Sequence, residues 1–196
     1  MLKVGLTGNI GSGKSLVSEI FTIIGVPVYH ADQESKKILG DPFLKEKILS
    51  IFGEKAFASS GEIDRHALAS IVFSDGKKLV ALDSILHPLV IDDFMQWCGT
   101  FQEHPYIIQE AAIIFESGFA GLFDRIIHVS CPKDIAIGRV MKRDGVDGEW
   151  VLQRMRFQME DAEKASRSDF VIRNDGSEMI IPQILSIHEQ LSGFGA

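Results

Sequence analysis

The sequence predicts an α/β fold: a parallel sheet flanked by helices, with a helical lobe inserted after the second strand. Two observations carry this. Residues 2–7 (LKVGLT) read as a short buried strand, and a glycine-rich turn, a helix and a second strand follow at once. A β–α–β start of this kind closes with parallel strands and a right-handed crossover. Strand character then returns at 105–111, 125–131 and 169–173, but only after helical periodicity has run from Asp32 to Gln102. That run is too long for a simple crossover between sheet strands, so it reads as an inserted lobe.

Taken in order, 14–24 places Leu16, Val17, Ile20, Phe21, Ile23 and Ile24 on a helical period, and Gly25 stops it. Pro27 to His30 supplies the second strand. Within the insertion the periodicity predicts helices over 32–39, 42–52, 64–73, 77–86 and 88–101. PYIIQEA (105–111) and RIIHVSC (125–131) follow as strands, then helices over 133–143 and 148–159 with the turn-rich DGVDG between them. DFVIR (169–173) is the last strand and 177–191 the closing helix. The expected organisation is a core with a five-stranded parallel sheet (1–31, 103–131 and 168–196), a helical lobe (32–102) and a helical lid (132–167).

Composition narrows the class. The 196 residues are 45% hydrophobic and 24% charged, enough apolar mass for a real core in about one domain. The net charge of −7 argues against non-specific nucleic-acid binding, which needs a basic face. The longest uncharged stretch, Ile20 to Ala31, is broken by Gly25 and Pro27 and falls well short of a membrane span. Lys3 leads into Gly5, Thr7, Gly8 and Asn9 in place of a secretory apolar region. Cys98 and Cys131 lack metal or redox spacing and fit a reducing compartment, so a cytoplasmic location is expected, with no nucleic-acid or membrane partner. Oligomeric state is not encoded in any pattern of the sequence.

The chemistry-bearing motif is Gly8-Asn9-Ile10-Gly11-Ser12-Gly13-Lys14-Ser15, a match to G-x-x-x-x-G-K-[ST]. A chance match in a chain of this size is on the order of one per cent from average residue usage. The glycines let successive N–H groups face one concavity, and the helix that follows adds its positive end. Lys14 is placed to reach the β- and γ-phosphates, and the Ser15 hydroxyl to ligate Mg²⁺. A strand before the motif and a helix after it are what nucleoside triphosphate binding requires. GTPase signatures are missing: no Asp is followed by Gly at the third position, and Lys142-Arg-Asp144 is preceded by Met. Small-metabolite kinases fit better, since they add an acidic residue on the next strand and an arginine-bearing lid.

Both additions are visible. Asp32 stands just past the second strand, at the end where open α/β sheets bind ligands. It could accept a hydroxyl proton or hold Mg²⁺ through water, and equally could cap the helix that begins there. From Arg139 to Arg167 the chain carries seven basic and six acidic residues, a small positive excess in an acidic protein. Arg139 and Arg143 share a helix face and could clamp phosphates; the plainer reading is a solvated charged face.

With these residues in hand the chain resembles the dephospho-coenzyme A kinases over nearly its whole length. The segments that carry the resemblance are VGLTGNIGSGKS (4–15), VYHAD (28–32), GEIDRHAL (61–68), SILHPLV (84–90), IIFESG (113–118), RVMKRD (139–144), RMRFQ (154–158) and DFVIRNDGS (169–177). The resemblance implies transfer of the ATP γ-phosphoryl group to the ribose 3′-hydroxyl of dephospho-CoA, with Mg²⁺, and assigns the helical lobe to the acceptor. It makes Asp32 the base, puts Arg65 and His87 in or near the acceptor lobe, and makes Arg139 and Arg143 lid arginines. Asn174 falls on the loop that in this family lies close to the ATP base. The chain departs from the family pattern in two segments: Glu110 and Ala112 replace the usual Asp and Pro in one, and Leu16 a usual Thr in the other. Glu110-Ala-Ala-Ile-Ile-Phe-Glu116 stands where Asp-x-Pro-Leu-Leu-Phe-Glu is usual, so the acceptor-side carboxylate at Glu110 is kept with one more methylene. Leu16 replaces a usual Thr, which predicts a modestly lower nucleotide affinity.

Other residues read as structural: His30, His66, His104, His128 and His188 have no ligand spacing, and Trp97 and Trp150 fit core or lobe anchors. His87 before Pro88 reads either as fixing a helix start or as a functional residue. Two rival readings remain at this point, another metabolite kinase such as a nucleoside monophosphate kinase, and a nucleotide-gated regulatory protein without turnover. The long insertion and the His-Pro pair weigh against the first, and Asp32 against the second.

Overall fold

A computed structural model describes residues 1–193 and divides the chain into two compact units, Met1–His30 with Trp97–Ala196, and Ala31–Gln96. The last three residues of the span 168–196 lie outside the described residues. In the first unit, β1 (Leu2–Thr7), β2 (Val28–His30), β3 (Tyr106–Glu110), β4 (Arg125–Ser130) and β5 (Phe170–Arg173) form one sheet in the order β2-β3-β1-β4-β5, with every pair parallel. β1 is central because Val4, Gly5, Leu6 and Thr7 are all buried, so neither face of the strand meets water.

Alternation along the strands sorts the two faces. Val4, Leu6, Ile108, Ile127, Val129 and Ile172 point to one side. They pack there against Val17 and Phe21 of α1 (Lys14–Ile23) and Ile184, Ile187 and Leu191 of the closing helix (Ile180–Gly193). The Tyr106 hydroxyl meets His188 Nδ1 at 2.7 Å and ties that helix to β3; burial pushes the phenol up from its ordinary value. Trp97 anchors the same unit through Tyr29 (ring centroids 5.5 Å apart) and Phe101 (4.6 Å).

The second unit is helical: α2 (Ala31–Ile38), α3 (Pro42–Phe52), α4 (Arg65–Ser74) and most of α5 (Gly76–Cys98). Asp41 caps α3 by accepting the Phe43 N–H, with Pro42 at the first helical position. Asp64 caps α4 through the His66 and Ala67 N–H groups at 2.9 and 3.0 Å. Leu44, Ile48, Phe52, Leu68, Val72, Ile85 and Leu86 make its core.

The helices differ from the expected ones in four places. The two helices expected over 77–86 and 88–101 are one, because α5 runs through Pro88. Proline removes a single backbone bond there, and Leu86, Val90 and Phe94 keep one buried stripe on both sides of it. The helix expected over 148–159 stops at Met155, because Gln158 and Met159 are drawn into hydrogen bonds with other segments. A further helix, Asp161–Arg167, was not expected. The closing helix starts at Ile180 and not at 177, because Ser177 is held in a turn by the Asp175 carboxylate. Numbered in order, these are α6 (Lys133–Asp144), α7 (Gly148–Met155), α8 (Asp161–Arg167) and α9 (Ile180–Gly193). No helix among the described residues is long and apolar enough to cross a membrane.

Helix α8 docks on the opposite sheet face through its first residue. Asp161 accepts from His128 Nε2 (2.9 Å) and from the Ser130 hydroxyl (2.5 Å), both on β4. Burial pushes the Asp161 carboxyl up, but those hydrogen bonds outweigh it and hold the group below its ordinary value of 3.8.

Two stability measurements follow from this packing. Phe21 is fully buried and Ile23, two residues on, is 76% exposed. Phe21→Ala should therefore cost about 3–5 kcal/mol in urea unfolding, while Ile23→Ala should stay within about 0.5 kcal/mol. Asp161 binds its proton less readily folded than unfolded, so its contribution is fully present above pH 3.8 and is lost as pH falls below that value. Urea midpoints from pH 7 to pH 3 should show Asp161→Asn less stable than the parent at neutral pH, with the gap closing in acid.

Candidate active site

The glycine motif links the central strand to the first helix. β1 ends at Thr7, α1 begins at Lys14, and residues 8–13 form the loop between them. Gly11 (φ 80°) and Gly13 (φ 97°) adopt left-handed backbone that side chains resist. Space closes the argument: a Cβ on Gly11 would run into the Ala136 carbonyl of α6, and one on Gly13 into the Asn174 amide. The Ser12 N–H turns back to the Asn9 carbonyl at 3.0 Å. No side chain caps α1, which leaves its positive end facing the loop.

Three other segments grip this loop. Asn174, just beyond β5, donates its Nδ2 to the Ser12 carbonyl (2.7 Å), and its own N–H goes to Ser130 on β4. The Ile10 N–H reaches Gln158 Oε1 (3.0 Å), and Asn9 Nδ2 the Met159 carbonyl (3.2 Å). α6, which carries Arg139 and Arg143, lies directly against Gly11. Of the two arginines, Arg139 donates to the Cys131 sulfur at 3.4 Å. Arg143 is exposed and forks onto the carboxylate of Asp144 at 2.7 and 2.8 Å. Burial pushes the Cys131 thiol up, with Arg139 opposing it. Arg154 stacks over Trp150, 3.1 Å from the ring centroid.

Glu110 closes β3 and is 6% exposed. It sits in register with His30 at the end of β2, and its Oε2 lies 3.3 Å from His30 Nδ1. His30, read from sequence as structural, is thus the partner of a candidate site residue.

The remaining candidates, Asp32, Arg65 and His87, belong to the second unit. Asp32 is exposed within the first turn of α2, the second residue past β2, and does not stand at the helix's cap position. Arg65 Nη2 donates to the Lys36 carbonyl (3.1 Å), joining the start of α4 to α2. His87 Nε2 faces Asp83 one turn back at 3.6 Å. Arg65 also lines an open depression of about 400 Å³ with Leu39, Gly40, Glu62, Ile63, Asp64 and His66.

Sequence reasoning passed over one group. Lys164 of α8 is fully buried, with Nζ 2.7 Å from the Ala112 carbonyl and 2.8 Å from Glu116 Oε1. Glu116 Oε1 also accepts the Met159 N–H at 2.8 Å. Burial pushes the Lys164 ammonium down from its ordinary value, while Glu116 opposes that. By sequence Lys164 is one of the seven basic residues of 139–167 read together as lid charge, and only its place in the fold separates it from them.

Comparison with known proteins adds the family. Residues 2–179 match the family model described as dephospho-CoA kinase. A dephospho-CoA kinase of Bacteroides fragilis is 41% identical over 187 residues, 95% of this chain and 91% of the relative. One from Porphyromonas gingivalis is 36% identical over 96% of this chain and 94% of its own length. Among solved structures, one from Thermus thermophilus superposes with TM-score 0.83 at 32% identity, covering 98% of this chain and 96% of the other. The dephospho-CoA kinase from Campylobacter jejuni gives 0.71 at 27%, covering 99% and 98%. A shikimate kinase from Acinetobacter baumannii, at TM-score 0.54 and 11% identity over 98% of this chain and 94% of that one, shares the fold alone. With a family model matched from Leu2 to Met179 and relatives aligned almost end to end, the chain belongs to the dephospho-CoA kinase family.

Proposed function

We propose that this enzyme transfers the γ-phosphoryl group of ATP to the ribose 3′-hydroxyl of dephospho-CoA. The observation that carries the reading is the loop at 8–15, held in a phosphate-cradling form by close packing at Gly11 and Gly13 within a chain of this family. In the reaction the acceptor oxygen bonds to the γ-phosphorus, the bond to the β,γ-bridging oxygen breaks, and ADP leaves with that electron pair. Asp32 takes the proton released by the hydroxyl.

The other roles follow from charge and position. Residues 8–16 hold the triphosphate, with Lys14 aimed at the charge that develops on the transferring group. Asn174 keeps the loop's shape through the Ser12 carbonyl and borders the base. Arg139 and Arg143 close over the phosphates, Arg143 exchanging the Asp144 carboxylate for phosphate oxygens. Arg65, His87 and Glu110 are the acceptor's contacts, and residues 32–102 and 132–167 act as acceptor lobe and lid. Among the described residues no three His, Cys, Asp or Glu side chains gather to hold a metal. Mg²⁺ would therefore ride on the triphosphate, with the Ser15 hydroxyl as its protein ligand, and would neutralise phosphate charge.

A coupled ADP-release assay over an acceptor panel tests the reading. Dephospho-CoA should exceed AMP, dTMP and adenosine in kcat/KM, and Lys14→Ala should lower turnover at least about 100-fold in a folded protein. A preference for AMP would leave a kinase of another specificity, and full activity in Lys14→Ala would remove the kinase reading. Asp32→Asn should cut kcat by about 10²–10⁴ while KM for ATP stays within about threefold, because it removes a base and no triphosphate contact. Normal kcat in that variant would reduce Asp32 to a first-turn carboxylate.

A further inference from the structure

Lys164 and Glu116 are not among the substrate-contacting residues assigned above, yet they form a deeply buried ion pair. Lys164 is 0% exposed and the Glu116 side chain 16%, at 2.8 Å. Taking a lysine out of water is costly unless its charge and its donors find partners, and here Glu116 Oε1 and the Ala112 carbonyl provide them. The Thr7 hydroxyl reaches the same Ala112 carbonyl at 3.3 Å, one residue before the phosphate loop begins.

The pair leads to the loop by a continuous path. Glu116 Oε1, fixed by Lys164, accepts the Met159 N–H (2.8 Å). That bond sets the backbone of 158–159, whose Met159 carbonyl receives Asn9 Nδ2 and whose Gln158 Oε1 receives the Ile10 N–H. The Asn9 amide orientation follows from its partner, because a carbonyl can only accept. Asn9 Oδ1 and Glu116 Oε2 are meanwhile buried without hydrogen-bond partners. Leaving such atoms unpaired is unfavourable, so Asn9 keeps its one bond to Met159, and Glu116 its two contacts through Oε1, at the expense of full satisfaction.

We infer that Lys164 is a positioning residue for ATP: through Glu116 and the 158–159 backbone it holds Asn9 and Ile10 in the shape that receives the triphosphate. The inference rests on the proposed kinase reading and adds a residue, distant in sequence from the motif, that sets nucleotide affinity and not the chemical step. Lys164 touches neither substrate nor reacting atoms. Its loss lets the 158–159 segment drift and frees the loop's tip, so ATP must order the loop on binding.

The test uses the full-length enzyme with Lys164→Met, which keeps the length and removes the charge, and with Gln158→Met, which removes only the acceptor of the Ile10 N–H. The dissociation constant for Mg·ATP by calorimetry and steady-state constants for both substrates are read together. Lys164→Met should weaken ATP binding and raise its KM about tenfold, and Gln158→Met about threefold, the range expected for charged and neutral hydrogen bonds. KM for dephospho-CoA and kcat should stay within about threefold. Unchanged ATP affinity in the folded variants, or a fall in kcat with KM for ATP intact, overturns the inference. If Lys164→Met does not fold, Gln158→Met alone decides, by the same two results. A parent enzyme that neither binds ATP nor phosphorylates dephospho-CoA overturns the functional reading itself. A parent that does both, with variants that bind ATP equally well, overturns only the role of Lys164.

Discussion

The main chain of residues 8–13 is approached so closely that no side chain fits at Gly11 or Gly13, and the rest of the phosphate end is arranged around that constraint. Strand order explains how the neighbours arrive. β4 and β5 lie on one side of the central β1. β4 leads into α6, whose Ala136 carbonyl backs Gly11, and β5 leads into Asn174, which backs Gly13. β3, on the other side, leads into the segment that carries Glu116. A loop held from three directions has little conformational freedom left to lose when an anion binds, which is the physical content of preorganisation.

The shortest α-helix among the described residues shows what such holding requires. α8 has seven residues and could not persist in water by itself. It is fixed by two charged side chains one turn apart: Asp161, which accepts from His128 and Ser130, and Lys164, which meets Glu116 and Ala112. Lys164 is wholly out of water and its charge is costly there without its partner, while Asp161, 32% exposed, adds two hydrogen bonds to β4, so the register of α8 is set sharply. Sharp register at α8 fixes the residues just before it, and those residues hold Asn9 and Ile10.

Much of this was legible in the sequence, for identifiable reasons. The five strands and the glycine motif are local patterns of apolar runs and turn residues, and they stand where they were expected, within a residue or two. Asp41 and Asp64 announce helix starts in the same local way, although only the ranges were expected and not the caps. What was misread depends on tertiary partners. Pro88 looked like a break because the buried stripe through Leu86, Val90 and Phe94 lies across it and not beside it. Residues 156–159 looked helical because their period continues, while the Glu116 and Asn9 bonds that end the helix come from residues about forty or more positions away. Lys164 was indistinguishable from Lys142 as a symbol in a charged run. Of the candidate site residues, Asn174 contacts the loop directly at Ser12, Arg139 stands on the helix whose Ala136 backs Gly11, and His30 gained a partner in Glu110 that no spacing rule links to it.

The charged groups of the first unit fall into two kinds, and the difference is exposure. Lys164–Glu116 and His128–Asp161 each place at least one partner wholly out of water, where a broken pair leaves an unsatisfied charge or dipole. Arg143–Asp144 is on the surface, where water and salt replace either partner at small cost. Among the described residues Arg139 donates to a thiol, a weak acceptor. The arginines proposed to close on ATP are thus the ones the fold gives up easily, and a triphosphate offers them a denser negative charge than one carboxylate does. Buried pairs tie α8 and the residues before it to the sheet and the glycine loop, while the exposed pair leaves Arg143, proposed for the lid, exchangeable. Exchanging the two arrangements would reverse both properties: an arginine locked into a buried pair could not reach the nucleotide, and a solvated Lys164 could not fix Met159 against the loop.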